Sequence, residues 1–300
     1  MNISSQGFAN QYSRDLQVLQ SNNLKYIECV STGHQMQKPS DDPSSASALI
    51  RVQTHRMEIS QCLRNSAYAR SLTDISAQTI EKMMEVNTDI GAYSVQYSSL
   101  NRDALVGIRS TIDGLLEQMV DLLNTKQMDT YLFGGNKLSE KPFEVTRDPD
   151  TQRIVSVQYV GSTTNNTYAI SPSIELNSLT DAAENQKMKT ALDNLLALRN
   201  AFYQEPPDVE DIQALGQTVN QDNQTIFADI LGNLGAKLTR IEHAEQQNQY
   251  INEDLEKISS QHADVDLADI MVKLQQSQCA YQAALQAGSK VLNLSLLNYL

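Results

Sequence analysis

The apolar positions of this chain fall into long runs spaced alternately three and four apart, interrupted once by a stretch with a different rhythm. Near the N-terminus the run is Tyr12, Leu16, Leu19, Tyr26 and Val30, with Asn23 in the one remaining slot. Such steps mark the seam of a helix that packs on another helix, here with one polar residue placed to set its register. Counting in sevens from Leu267, one position near the C-terminus holds Leu267, Leu274, Tyr281, Gly288 and Ser295. A second holds Ile270, Ser277, Ala284, Val291 and Asn298, and a third holds Met271, Gln278, Leu285, Leu292 and Tyr299. An apolar cluster at Leu294, Leu296, Leu297 and Leu300 closes the stripe. Neither stripe can be buried by its own helix. The simplest solution buries them together, as an antiparallel pair or in a shared assembly.

The interior reads the same way. Gly33 is a helix stop, Pro39 blocks continuation, and Asp42-Pro43 restarts a helix because Asp caps free N–H groups and Pro suits the first helical position. From Ser44 to Tyr97 there is no Pro and only one Gly, Gly91, which predicts a helix on the order of 80 Å long at about 1.5 Å per residue. Its seam runs through Met83, Val86, Ile90, Tyr93 and Tyr97, breaks near Asn101–Asp103, and resumes one residue out of step from Leu105 to Leu122. Past Thr130 the rhythm changes. Tyr131–Gly135, Phe143–Thr146, Arg153–Val160 and Thr167–Ile170 are short, β-branched or aromatic, and separated by turn formers. Asp181 with Glu184 then forms a capping pair for a helix that Pro206-Pro207 ends. A further long helix starts near Val209, with a weak point at Ser259–Ala263 and Asp264 or Asp266 as the next cap.

The chain is therefore expected to be mainly α: long antiparallel helical rods and terminal coiled-coil helices with a small β-rich inserted domain. Residues 1–31 plus 265–300 form terminal helical assembly segments, 32–131 plus 181–264 a helical rod domain, and 132–180 a small β-rich outer domain.

Charge narrows the partners. A net charge of -13 over 300 residues opposes nucleic acid or an anionic membrane surface as the main partner. No apolar run reaches the roughly 18 residues of a spanning helix, and Met1–Phe8 lacks the basic and apolar regions of a cleavable signal. Cys29, Cys62 and Cys279 are odd in number and dispersed, which disfavours a disulfide framework and reads as three small buried hydrophobes.

The same pass yields no catalytic constellation and no cofactor or metal site. His34, His55, His243 and His262 are scattered, and there is no zinc, nucleophile-elbow or paired-cysteine motif. Gly232-Asn-Leu-Gly235-Ala-Lys237 hints at a phosphate loop, but its flanks are helical. Glycines there are better read as allowing close approach of a neighbouring helix. Asp264, Asp266 and Asp269 lack the Gly and closing Glu of a calcium loop and read as helix-start charge.

Two paired patterns resemble the bacterial flagellin family. The first is Ser31-Thr-Gly33 followed by Lys38-Pro-Ser-Asp-Asp-Pro43. The second is Asp266–Ile270 through Tyr281-Gln-Ala-Ala-Leu-Gln-Ala287 to Ser295–Leu300. Asn124-Thr-Lys126, Thr130-Tyr-Leu-Phe-Gly-Gly135 and Lys141-Pro-Phe143 resemble its hook–filament junction branch more than its filament subunits. The resemblance implies a non-enzymatic, secreted structural subunit of the bacterial flagellum, exported by the type III apparatus and acting as an adaptor on which flagellin assembles. A filament flagellin is the alternative. Implied partners are copies of itself, a preceding hook-associated protein, flagellin, and an export chaperone on the C-terminal helix. The implied assembly interface comprises Tyr12, Leu16, Leu19, Tyr26, Val30, Leu267, Ile270, Leu274, Tyr281, Ala284, Leu285, Gly288, Val291, Leu292, Leu297 and Leu300.

Overall fold

Helix starts and stops fall where local chemistry puts them. The computed structural model describes residues 2–97, 102–127, 129–137, 139–164, 166–177 and 179–297. The chain is 73% helical. α1 spans Asn2–Thr32 and ends where Gly33 takes a left-handed φ of 73°, its N–H donating to the Cys29 carbonyl at 2.9 Å. α2 spans Pro43–Gln96, and the Asp42 carboxylate caps it by accepting from the N–H groups of Ser44 and Ser45. α3 covers Arg102–Leu123 and α4 covers Ala182–Tyr203. α4 opens on a reciprocal capping box: Asp181 accepts from the Glu184 N–H at 2.7 Å, and Glu184 accepts from the Asp181 N–H at 2.8 Å. α5 (Val209–Thr218) passes through a π-helical turn (Val219–Asn223) into α6 (Gln224–Ala263), and α7 covers Leu267–Leu297. The structure keeps α6 helical through Ser259–Ala263, so the expected weak point there is corrected. The break comes at Asp264–Asp266, and Asp266 caps α7 through the N–H groups of Ala268 and Asp269.

Between α3 and α4 lie three antiparallel two-stranded ribbons: β1 (Lys126–Gln127) with β2 (Thr130–Tyr131), β3 (Phe143–Arg147) with β4 (Ile154–Tyr159), and β5 (Tyr168–Ser171) with β6 (Ile174–Leu176). Tyr131–Gly135 reads as a strand in sequence, but the ladder ends with Tyr131 and the Leu132 N–H, which donates to the Thr125 carbonyl at 3.1 Å. Leu132 and Phe133 are fully buried instead, and the Phe133 carbonyl accepts from Asn185 Nδ2 at 2.9 Å. Burial of two large side chains on one short turn outweighs ladder pairing there.

The chain forms two units, each with its own interior: Met1–Glu58 with Ile251–Leu300, and Ile59–Tyr250. The interior of the second is a helical core in which Leu72, Ile80, Ile90, Ile112, Leu195, Phe202 and Phe227 are all buried. β3–β4 is held to it by side chains. Asn124 exchanges two bonds with the Phe143 backbone, both 3.1 Å, and Arg199 donates to the Ile154 carbonyl while pairing with Asp113 at 3.1 Å. A smaller cluster of Ala69, Ile170, Leu176, Ile241 and Ala244 secures β5–β6, with Asn65 and Asn248 donating to the Ala169 and Ile170 carbonyls.

Where α2 meets α5 and the π turn, polar side chains press onto bare glycine backbone. A Cβ on Gly91 would lie 2.0 Å from Asn220 Oδ1, and one on Gly216 would lie 2.0 Å from Ser94 Oγ. A buried amide network fills the contact. Asn223 Nδ2 donates to Asn87 Oδ1 and to the Ala191 carbonyl, Asn223 Oδ1 accepts from Asn194, all at 2.9 Å, and Asn87 donates to the Val219 carbonyl at 3.0 Å. Replacing Asn223 with Ala leaves several of these groups buried and unpaired. Asn223→Ala is therefore expected to lower unfolding free energy by about 2–3 kcal/mol, read as a fall in urea midpoint with unchanged slope.

Candidate assembly interface

In the first unit α1 and α7 lie antiparallel, joined by their seams. Tyr12, Leu16, Leu19, Tyr26 and Val30 are half-buried along α1, and Leu274, Tyr281 and Ala284 along α7; Ile270 and Gly288 are buried. Both ends of the pair are anchored. At one, the Tyr12 hydroxyl donates to the Ala284 carbonyl at 2.7 Å, and its ring covers Gly288 so closely that a Cβ there would fall 2.1 Å from the hydroxyl oxygen. At the other, Gln35 N–H donates to the Ala263 carbonyl at 2.8 Å and Val265 N–H to the Gly33 carbonyl at 3.0 Å. Small residues on α7 thus receive large ones from α1, as knobs enter holes.

Of the other expected interface residues, Leu267 and Leu285 lie outside this seam and face solvent. Val291, Leu292 and Leu297 lie on α7, but their side chains fall outside the described residues, as does Leu300 altogether. The outward faces of the pair are apolar at several points: Val18, Leu24 and Ile27 on α1 and Leu267, Met271, Val272 and Leu285 on α7 are exposed, from 43% (Leu285) to 61% (Leu24). Charge is sparse on α7, whereas α1 carries Arg14, Asp15, Lys25 and Glu28, all exposed. From Met271 to Leu297 the only charged residues are Lys273 and Lys290, and the remaining outward positions are mostly Gln, Ala and Ser.

Cys29, expected to be a small buried hydrophobe, is 2% exposed, and its place at the base of the seam is what the spacing of apolar positions did not mark. It lies one residue before Val30, and the helical turn rather than the heptad count places it inward. Cys62 is also buried, but Cys279 is exposed, so the reading of all three as buried hydrophobes is corrected for Cys279. An outward position on α7 accounts for that.

The remaining candidates for chemistry have structural employment. Lys237 Nζ donates to the Leu179 carbonyl at 2.6 Å, and burial pushes its pKa below the ordinary lysine range. A Cβ on Gly232 or Gly235 would meet nothing, so within the chain these glycines do not admit a neighbouring helix, contrary to expectation. Asp264 accepts from Ser260 Oγ at 2.5 Å, Asp266 caps α7, and Asp269 pairs with Lys273 at 2.6 Å. A cavity of about 310 Å³ beside Cys29 is lined by Lys25, Asp41 and Asp42 among others. Asp41 accepts from the N–H of Lys38 at 3.1 Å and Asp42 caps α2, so both carboxylates have partners in the turn that starts the helix. Among the described residues no group of three His, Cys, Asp or Glu could hold a metal ion, and no helix is long and apolar enough to cross a membrane.

Residues 3–138 match the model of the bacterial flagellin N-terminal helical region. The chain is flagellin-like. Its sequence is 26% identical over 146 residues to flagellar hook-associated protein 3 of Escherichia coli K12, covering 48% of this chain and 46% of that relative. The chain thus spans about half the length of the relative it matches. In fold, the flagellin-like chain is similar to a flagellar hook-associated protein from Vibrio parahaemolyticus, with a TM-score of 0.65 and 14% identity over 75% of this chain and 100% of that one. It is likewise similar to FlgL of Bacillus cereus, with a TM-score of 0.56 and 20% identity over 70% and 99%. The family match covers α1 to α3 and the first β ribbon, the stretch that carries the N-terminal seam.

Two outcomes follow from this geometry. Gly288→Ala places a methyl group inside the Tyr12 ring's position, and is expected to cost roughly 1–3 kcal/mol of helix-pair stability, read as faster amide exchange along α1. The Asp42 carboxyl has its pKa lowered from 3.8 to about 2, first by the side-chain hydrogen bonds of Ser45 and Ser44 and then by backbone N–H groups. The unfolded chain therefore takes up this proton first as pH falls. The cap contributes fully above the ordinary carboxylate range and is lost as pH drops through about 2. Amide protection in the first turn of α2, taken relative to the intrinsic exchange rate at each pH, should fall over that window, and Asp42→Asn, which still caps, should abolish this pH dependence.

Proposed function

We propose that this chain is a structural subunit of the bacterial flagellum, secreted and placed at the hook–filament junction as the adaptor on which flagellin assembles. The observation that carries the reading is the terminal helix pair. Its outer faces combine exposed apolar residues from both helices, and beyond Asp269 the α7 face carries only Lys273 and Lys290 as charges. Burying such faces in an assembly gains apolar contact and desolvates few ions. The names of the relatives, hook-associated protein 3 and FlgL, support the place of that assembly.

In this reading residues 1–31 with 265–300 form the inner assembly segments, 32–131 with 181–264 the surrounding rod, and 132–180 the outward β-rich region. Copies of the chain pack side by side through the terminal pair. A preceding hook-associated protein meets it on the proximal side and flagellin on the distal side. An export chaperone covers the apolar face of α7 before assembly. No enzymatic step belongs to this role.

Gene deletion tests it. Cells are expected to lose their filaments and release flagellin into the medium. A deletion strain that keeps a filament built from another flagellin overturns the adaptor in favour of a filament subunit. Leu274→Asp puts a carboxylate into the α1–α7 seam and is expected to block filament completion while leaving the helicity of Ile59–Tyr250 intact; motility and circular dichroism read the two effects.

A further inference from the structure

We draw no further inference here: the strongest candidate, the exposed small-residue face of α6 that runs from Thr225 through Ala228, Gly232 and Gly235 to Thr239, is smooth enough to admit another helix closely, but nothing in the structure shows what covers it.

Discussion

The constraint on which this molecule rests is that a helix with one apolar stripe must find another stripe to cover it. α1 and α7 sit at opposite ends of the sequence, and each exposes its stripe unless the other covers it. Their meeting closes a long loop, a closure whose entropic cost grows only slowly with length. It is secured at its two ends by different means: a tyrosine laid on a glycine at one, and a short backbone bridge between residues 33–35 and 263–265 at the other. Within Ile59–Tyr250 the same constraint is met by several helices around one core, with the β ribbons held on by Asn124, Arg199, Asn65 and Asn248.

Much of this was legible because helix-on-helix packing writes itself into sequence at a fixed spacing. The seam residues Tyr12, Leu16, Leu19, Tyr26, Leu274 and Tyr281 stand out by spacing alone, and the caps at Asp42 and Asp181 stand out by residue type. Other features leave no such trace. The π turn at Val219–Asn223 inserts one residue into a helix without interrupting its apolar pattern. Its amide network depends on three separate helices meeting at one point, so no single segment announces it. Leu132 and Phe133 look like strand residues, since a short apolar run gives the same signal whether it enters a ladder or plugs a core. The glycines at 232 and 235 mislead in the other direction: sequence marks a close approach, and within the chain nothing approaches.

The candidate interface divides along the same line. Spacing identifies which face of α7 is apolar but not how much of that face a single partner can cover. One antiparallel helix covers a narrow stripe, and the stripe here is wider. Leu267 and Leu285 fall on its flank, so α1 cannot reach them, and they remain exposed beside Met271 and Val272. A two-helix pair has too little surface to bury a wide stripe on either member. That deficit is a geometric property of the pair, and it is why the terminal helices read as part of something larger.

The charge pattern sets that exposed flank apart from the rest of the chain. The protein as a whole is strongly acidic, which keeps chains apart in solution, whereas α7 beyond Asp269 has no carboxylate side chain at all. Carboxylate repulsion is thus concentrated away from the outer face of α7. The polar positions of this helix are mostly uncharged instead, glutamines above all. Uncharged polar groups can be desolvated at modest cost and still reject a misaligned partner, since each must be matched once water is gone. Lysine or glutamate at these positions would give solubility but would resist burial. The composition of α7 therefore suits a surface that must remain soluble before it is covered and be fully dry afterwards.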